Sequence, residues 1–174
     1  LQLKGKYQFN MEIILVAAVA ENYALGKDNA MIWHLPDDFK HFKSLTTGNF
    51  ILMGRKTFET FPKPLPNRVH LIVTRNTNYQ APENCFVFAT IKEAIQFAEK
   101  QNQEKLFVIG GGEIYKQTIS EATGLSITEV HATFEADAVF TEIDKNIWKA
   151  TESIHHEIDE KHKFSFDIVK NMLQ

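Results

Sequence analysis

A chain of 174 residues is long enough for one domain with a sizeable hydrophobic core and too short for two independent cores. Its 44% hydrophobic and 24% charged residues are typical of a globular protein, and no apolar run approaches the ~18 residues of a membrane-spanning helix. The formal net charge of −3 gives no general attraction to nucleic acid or anionic lipid, so neither partner is expected.

The cysteine content and the N-terminal segment bear on the cellular compartment. The single cysteine, Cys85, cannot form a disulfide within the chain, and no charged segment followed by an apolar segment marks a secretory signal. The cytoplasm is therefore the expected compartment. Residues 1–10 carry no periodic pattern, so we expect a disordered extension or a cloning remnant there and a single domain over 11–174.

The apolar runs in the first two thirds of the chain predict buried strands. Residues 12–20, EIILVAAVA, form a β-branched run without alternation, which is typical of a strand covered on both faces. Similar runs occupy 49–54, 69–74, 85–88 and 105–110. One helix is predicted to begin at Pro36 and continue through Thr46, and another, TIKEAIQFAEKQ, begins with the capping pair Thr90 and Glu93. The alternation of strands and helices predicts an α/β fold.

The order of predicted elements changes after residue 124, where strands follow one another without helices between them. The segments LSITEVHATF, IWKATESIHHEI and FSFDIVK read as strands joined without a helix long enough for a crossover. We therefore expect a single α/β domain with a central, mostly parallel twisted sheet, an antiparallel C-terminal edge and helices on both faces. The segment FPKPLPN, 61–67, is a proline-stiffened loop.

Two neighbouring carboxylates, Asp37 and Asp38, open the first predicted helix. At about 100° per residue, Asp38 falls on the apolar side, which comprises Leu35, Phe39, Phe42 and Leu45. Asp37 shares the polar side with Lys40, His41 and Ser44. Both acids could simply complement the helix dipole, which explains Asp37 well. An ionised carboxylate beside aromatic rings needs a partner, so Asp38 is also a candidate for binding a flat cationic or N–H-rich ligand.

Three strand-to-helix junctions carry groups that suit a phosphate-bearing cofactor. The segment 54–57 combines free backbone N–H groups at a helix start with two cations, although its spacing is not that of a Walker loop. Thr74 and Arg75 end the next strand, where an arginine suits a 2′-phosphate. The glycines 110–112 permit close approach of the backbone, but Tyr115 breaks the Rossmann fingerprint. Each junction alone could be ordinary, whereas together they favour a dinucleotide.

Other reactive or metal-binding side chains are not expected to act. His155, His156 and His162 flank a predicted hairpin without the spacing of a metal site, so they are interpreted as surface histidines and no metal is expected. Cys85 heads a strand with no Cys or His partner evident in sequence and is interpreted as a buried structural thiol.

The segments AVAENYALGKDNAMIWHLPDDFKHFK, ILMGRKTFE, PLPNR and VIGGGEIY occur in an order and spacing that closely resemble dihydrofolate reductases from about Met11 to the C-terminus. The resemblance implies NADPH-dependent reduction of 7,8-dihydrofolate to 5,6,7,8-tetrahydrofolate, with hydride transfer to C6 and protonation at N5, in one-carbon metabolism. It implies NADPH as the cofactor, an adenosine-binding subregion over about 49–103, dihydrofolate and antifolate-type inhibitors as ligands, and a monomer.

The resemblance also assigns site residues. The implied catalytic group is Asp38, Trp33 and Thr128, in which the Asp38 carboxylate holds the amino and ring N–H edge of the pterin while a water delivers the proton. The implied substrate-binding residues are Val16, Ala17, Asp38, Phe39, Phe42, Phe61, Lys63, Leu65, Arg68, Ile109 and Thr128. Arg68 would pair with the α-carboxylate of the glutamate tail.

The implied cofactor-binding residues cluster around a lid and the three junctions. They are Ala18, Ala24, Leu25, Gly26, Asn29, Ala30, Met31, Gly54, Arg55, Lys56, Thr57, Thr74, Arg75, Gly110, Gly111, Gly112, Glu113, Ile114 and Tyr115. In the family the first two glycines of the triple run are joined by a cis peptide. The segment 20–35 resembles a lid that excludes water.

Two departures from the family pattern concern loops. Ile32 stands where many relatives have proline, which would loosen the lid, and Ala136 precedes Asp137 where a glycine is frequent. Two alternative functions stay open at this point. One is a reductase of the same fold that acts on a ribosylated pyrimidine, and the other is a catalytically silent NADP(H)-binding module.

Overall fold

The computed structural model describes residues 10–28, 30–76 and 78–174. Residues 1–9 of the extension expected over 1–10, and the cofactor-binding candidate Asn29, lie outside these described residues. The strands are β1 (Glu12–Ala20), β2 (Ala24–Gly26), β3 (Phe50–Gly54), β4 (Val69–Val73), β5 (Cys85–Phe88), β6 (Lys105–Val108), β7 (Gly124–Val130), β8 (Ala138–Val139), β9 (Trp148–His156) and β10 (Phe166–Leu173). The helices are α1 (Pro36–Thr46), α2 (Arg55–Glu59), α3 (Ile91–Lys100) and α4 (Gly112–Thr118), followed by a 3₁₀ turn at Ile119–Glu121.

Eight strands form the main sheet, in the order β5-β4-β3-β6-β1-β7-β10-β9. The first six of these strands pair in parallel, whereas β10 runs antiparallel to both β7 and β9. The predicted mostly parallel sheet with an antiparallel C-terminal edge is therefore confirmed. In such a sheet the carboxyl ends of the parallel strands share one edge, and loops that follow them come together there.

The sheet carries helices on both faces. In β1, Leu15 belongs to the core cluster beneath α3 and α4, whereas Val16 belongs to the cluster beneath α1 and α2. Both side chains are buried, as the unbroken apolar run predicts. Full burial of one aliphatic side chain contributes about 1.5–3 kcal/mol, so two-sided packing makes β1 a centre of stability.

Local signals set the helix starts correctly. α1 spans the residues predicted for it, and α3 begins after Thr90, whose hydroxyl oxygen accepts the backbone N–H of Glu93 at 3.2 Å. Several strands are shorter than predicted. The largest differences are in β6, which ends at Val108, in β7, which ends at Val130, and in β9, which spans Trp148–His156. Among the described residues, no helix combines the length and apolar character needed to cross a bilayer.

A second, two-stranded sheet pairs β2 with β8 and was not predicted. These strands have three and two residues, too few for a periodic pattern to appear in sequence. β2 belongs to the segment expected to be a lid, and β8 belongs to the loop before Phe140. Their pairing places that segment beside the carboxyl edge of the parallel strands.

Candidate active site

Asp38 lies between α1 and the main sheet. Its carboxylate accepts a hydrogen bond from the Thr128 hydroxyl of β7 at 2.5 Å. Burial raises the pKa of Asp38, while the hydrogen bond from Thr128 and the nearby His41 act in the opposite direction. The helical phase assigned to Asp38 is confirmed, and the strand-borne hydroxyl expected beside it is in place.

Asp37 faces the other way and contacts the hairpin between β9 and β10. His156 hydrogen-bonds its carboxylate at 2.8 Å, which is the main reason that the pKa of Asp37 is lowered, and Lys40 lies 3.6 Å away. The Nε2 atom of His162 accepts the backbone N–H of Asp37 at 3.1 Å. The N-cap residue, Leu35, has no side-chain acceptor for the free N–H groups at the helix start. His162 supplies that acceptor and so caps the helix that carries Asp38.

The interpretation of His162 as a surface histidine is wrong. Its side chain is 1% exposed, and its Nδ1 atom bonds the Asp159 carboxylate at 2.7 Å, which leaves Nε2 as the acceptor. His41 also differs from expectation, because its ring bonds the Ser126 hydroxyl of β7 at 3.0 Å. At 3.6 residues per turn it lies about 60° from Asp38 and about 40° from Asp37, so a long side chain there can reach the sheet.

Trp33 contributes a buried indole at the start of the site. It is 5% exposed and packs against Phe134 with ring centroids 5.3 Å apart. Its indole N–H has no hydrogen-bond partner among the described residues. A buried donor without a partner carries a free-energy penalty, so this N–H suits a ligand acceptor or a bridging water.

Most of the apolar residues assigned to the substrate come together on the α1 face. The cluster beneath α1 and α2 contains Val16, Phe42, Phe61, Leu65 and Ile109. Ala17 belongs to the cluster on the opposite face, so its backbone rather than its side chain is available on the α1 face. Phe39 and Lys63 are exposed, and the Phe39 ring lies 5.6 Å from that of His34.

Arg68 is held in place by the loop 61–68 and by the end of α1. Its side chain is 8% exposed, its Nε–H donates to the Pro66 carbonyl at 3.0 Å, and one terminal N–H donates to the Thr46 hydroxyl at 3.2 Å. Burial lowers its pKa. No carboxylate forms an ion pair with Arg68 in the described part of the chain, so its charge is available to an anionic ligand.

His70 stabilises the same loop and was missed in the sequence. This fully buried residue of β4 accepts the backbone N–H of Leu65 at 3.0 Å and lies between the rings of Phe58 and Phe61. Burial lowers its pKa. The available signal was a histidine inside an apolar strand, because a buried polar group of that kind must find a partner.

The three predicted anion-binding junctions lie side by side. They follow β4, β3 and β6, which are neighbours in the sheet, and the backbone N–H of Gly54 donates to the Gly110 carbonyl at 2.9 Å. The Gly110–Gly111 peptide is cis, as expected. Gly110 has φ +119°, and a Cβ on Gly112 would lie 2.9 Å from the Val139 carbonyl oxygen. Larger residues would therefore not fit at these two positions.

Cations and hydroxyls surround this edge. Arg55 lies 3.8 Å from Glu59 on α2, and both Lys56 and Arg75 are exposed. The Thr57 hydroxyl would lie 3.5 Å from a Cβ on Gly111, at the start of α4. Helix starts with nearby cations attract anions, so this arrangement fits the pyrophosphate and 2′-phosphate of a dinucleotide.

Other residues assigned to the cofactor occupy varied positions. The Tyr115 hydroxyl donates to the Val16 carbonyl at 2.6 Å, and burial, followed by the charge of Asp38, raises its pKa. Ile114 packs against the core beneath α3 and α4, Ala18 is half-buried, and Thr74 accepts a backbone N–H from Asn76. Glu113 is exposed and bonds Gln117.

The segment 20–35, which is expected to form a lid, is attached to the loop 134–139. The backbone N–H of Asp28 donates to the Asp137 carboxylate at 2.9 Å, and Asp137 donates its own N–H to the Gly26 carbonyl at 3.2 Å. Ala24 is fully buried and Leu25 half-buried, whereas Ala30 and Met31 are exposed. Asp137 therefore contacts this segment even though the residue before it, Ala136, stands where a glycine is frequent in the family.

The chain is similar to known proteins over almost its whole length. The family model for dihydrofolate reductase matches residues 12–172. The dihydrofolate reductase of Neisseria meningitidis serogroup A is 40% identical over 152 residues, or 87% of this chain and 92% of that protein. The enzyme of Bacillus subtilis is 36% identical over 157 residues, or 90% of this chain and 92% of that protein.

A solved structure has the same architecture. The dihydrofolate reductase from Enterococcus faecalis, complexed with NADP(H) and RAB-propyl, superimposes with a TM-score of 0.85 at 34% sequence identity, covering 94% of this chain and 96% of that one. Because the family model, these relatives and the fold agree over nearly the full length, the chain belongs to the dihydrofolate reductase family.

Proposed function

We propose that this protein catalyses the NADPH-dependent reduction of 7,8-dihydrofolate to 5,6,7,8-tetrahydrofolate and so supplies one-carbon metabolism. The observation that carries the proposal is the inward carboxylate of Asp38, hydrogen-bonded to Thr128 at 2.5 Å beside an apolar wall. A module that only bound a dinucleotide would not need a carboxylate with a raised pKa in this position.

Asp38 and Arg68 bind opposite ends of the substrate in this proposal. The Asp38 carboxylate accepts hydrogen bonds from the amino and ring N–H edge of the pterin, while Trp33 packs nearby. The α1 face supplies the apolar wall for the pterin and aminobenzoyl rings. The buried guanidinium of Arg68 pairs with the α-carboxylate of the glutamate tail. A ribosylated pyrimidine would use neither this tail contact nor the full length of the wall.

The cofactor site fits NADPH. Glycine stands at position 110, where φ is +119°, and at position 112, where a side chain would collide with the Val139 carbonyl oxygen. Two helix starts with nearby cations face the same edge. Arg55, Lys56 and Arg75 are the cations that would hold the phosphates, with Thr57 and Thr74 as hydroxyl donors. When bound, NADPH supplies the hydride for C6 of the pterin.

The residues around Asp38 control the accompanying proton. The carboxylate orients and polarises the pterin, and a water delivers the proton to N5 without direct donation from Asp38. The lid, attached through Asp28 and Asp137, limits the entry of further water. Thr128 keeps the carboxylate in one orientation.

We further propose that the protein works as a cytoplasmic monomer and is a target of antifolate-type inhibitors. Its only cysteine, Cys85, is half-buried rather than fully buried, and burial raises the pKa of its thiol. A single cysteine cannot form a disulfide within the chain, which suits a reducing compartment. Inhibitors with an amino-substituted ring would use the Asp38 carboxylate as the pterin does.

The test is NADPH oxidation with and without dihydrofolate, comparing the unmodified protein with Asp38→Asn across pH. We expect Asp38→Asn to bind NADPH normally and to lose about 10²–10⁴-fold in turnover at neutral pH, with partial recovery in acid, where solvent protonates N5. Asp37→Asn is the matched control and should keep most activity, because its carboxylate faces the hairpin. Equal turnover in Asp38→Asn would remove Asp38 from the mechanism. Tight NADPH binding without pterin-dependent turnover in the unmodified protein would favour one of the alternative functions.

A further inference from the structure

A cluster of histidines and acids lies at the antiparallel edge of the sheet, away from the substrate site. Asp167 of β10 stands directly opposite His155 of β9 and Glu129 of β7, and His131 follows β7. Side chains alternate along each strand, so Asp167 faces away from α1 while its neighbour Phe166 packs on the α1 side. The reaction proposed above uses none of these residues.

We propose that His131, His155 and Asp167 form a binding site for a divalent transition-metal ion, with Zn²⁺ as the ion that best suits their ligand chemistry. The Asp167 carboxylate lies 2.6 Å from Nδ1 of His155 and 3.1 Å from Nε2 of His131. All three ligand atoms lie within 4.8 Å of one another. Imidazole nitrogens and a carboxylate at Zn²⁺ distances of about 2.0–2.2 Å would be about 3.4 Å apart. The rings of His131 and His155 are stacked with centroids 5.7 Å apart and an interplanar angle of 18°, so at least one ring turns when both nitrogens bind one ion.

The second nitrogen of each imidazole already has a partner. Nδ1 of His131 bonds the Ser165 hydroxyl at 2.9 Å, and Nε2 of His155 bonds the Glu157 carboxylate at 3.0 Å. Histidines that bind metals in proteins are held in this way, because the outer partner fixes the ring orientation and increases the basicity of the ligating nitrogen. The remaining nitrogen of each ring bonds the same Asp167 carboxylate, and a metal ion would take the place of the shared proton in each of these bonds.

The charges of the cluster favour a cation. Asp167 and Glu129 are a directly opposed cross-strand pair of like charge, which is unfavourable unless positive charge lies between them. A bound metal ion would relieve this repulsion, and a water would occupy the fourth ligand position.

The other histidine cluster is a poorer metal site. His156, His162 and the Asp37 carboxylate also lie close together, but Nε2 of His162 accepts the backbone N–H of Asp37, a donor that cannot share the nitrogen with a metal ion. A metal on Nε2 of His162 would remove the cap of α1. The two clusters lie on opposite faces of the sheet, since His155 and His156 are neighbours in β9. Variants can therefore separate them.

The experiment is a calorimetric titration of chelator-treated full-length protein with Zn²⁺ at pH 7.5, supported by thermal melts with and without the metal. The unmodified protein should bind one equivalent and melt at a higher temperature with Zn²⁺. His155→Gln and His131→Gln should each lose at least about tenfold in affinity and lose the thermal shift, and Ser165→Ala should lose about tenfold. Melts without metal verify that each variant is folded.

His34→Gln and His156→Gln are the controls, because His34 is exposed elsewhere and His156 belongs to the other cluster. Both should bind Zn²⁺ as the unmodified protein does. The proposal is overturned if the unmodified protein shows no stoichiometric binding, or if His156→Gln abolishes binding while His155→Gln retains it. It is also overturned if all variants bind equally, because that result indicates nonspecific surface binding.

Discussion

Replacing Asp38 with asparagine is expected to make the folded protein more stable at neutral pH while removing its activity. In the folded protein the carboxylate is partly buried, and burial raises its pKa, so the ionised form is disfavoured relative to the unfolded chain. An asparagine amide has nearly the same shape, and its oxygen can still accept the hydrogen bond from Thr128. The substitution therefore removes the desolvation penalty without creating a cavity.

The magnitude follows from the hydrogen bonding of the carboxylate. Thr128 is its one hydrogen-bond partner among the described residues, and partial desolvation of an ionised carboxylate with a single such bond costs about 1–3 kcal/mol. In a protein of this size 1 kcal/mol corresponds to about 2–4 °C in melting temperature, so the expected increase is roughly 2–12 °C.

The pH dependence gives the sign of the effect. Because the pKa of Asp38 is raised in the folded state, folding favours the protonated form, and the stability of the unmodified protein falls as pH rises from the ordinary value of 3.8 through the folded-state value. Asparagine has no such dependence. The advantage of Asp38→Asn should therefore be largest at neutral pH and should shrink towards about pH 4.

Urea unfolding of the ligand-free protein at several pH values measures this difference. Asp37→Asn is the matched control and should have the opposite sign, because the hydrogen bond from His156 lowers the pKa of Asp37 and its charge favours the start of α1. That stability contribution is present above the unfolded-state pKa and is lost as pH falls through the folded-state value. If Asp38→Asn is less stable than the unmodified protein at neutral pH, or if its advantage increases in acid, the reasoning about burial is refuted.

Substitutions at three further positions test the positioning of the site. Arg68→Leu should weaken dihydrofolate binding about 10–100-fold but leave the binding of a substrate without glutamate nearly unaffected, and Arg68→Lys should have an intermediate effect. Equal losses of affinity for both substrates in equilibrium binding would contradict the assignment of Arg68 to the glutamate tail. His162→Ala should lower the free energy of unfolding by about 0.5–2 kcal/mol or more, because the backbone N–H of Asp37 loses its acceptor, and His162→Gln should recover part of that stability. Equal stability of the two variants in urea unfolding would argue against the cap. Asp137→Ala removes the acceptor of the Asp28 N–H and should speed NADPH dissociation about 2–10-fold in stopped-flow measurements, whereas an unchanged rate would separate the loop contact from cofactor retention.

Much of the fold could be predicted from the local periodicity of apolar residues. The unbroken apolar run of β1 indicated burial on both faces, and the spacing of α1 indicated that Asp38 faces inward, because side-chain direction repeats every two residues in a strand and every 3.6 in a helix. The prediction for His41 was wrong because it lies between the two sides of α1, where phase alone does not decide which way a long side chain turns.

The sequence by itself determined the type and order of the main elements, the inward direction of Asp38 and the glycine junctions, since these depend on neighbours a few residues apart. Only the tertiary structure decided the burial of His162, the hydrogen bond from Leu65 to His70, the pairing of β2 with β8 and the grouping of His131, His155 and Asp167. Most of these contacts join residues far apart in the chain, and sheet register and loop path bring them together. Periodicity in a single sequence contains no information about that register.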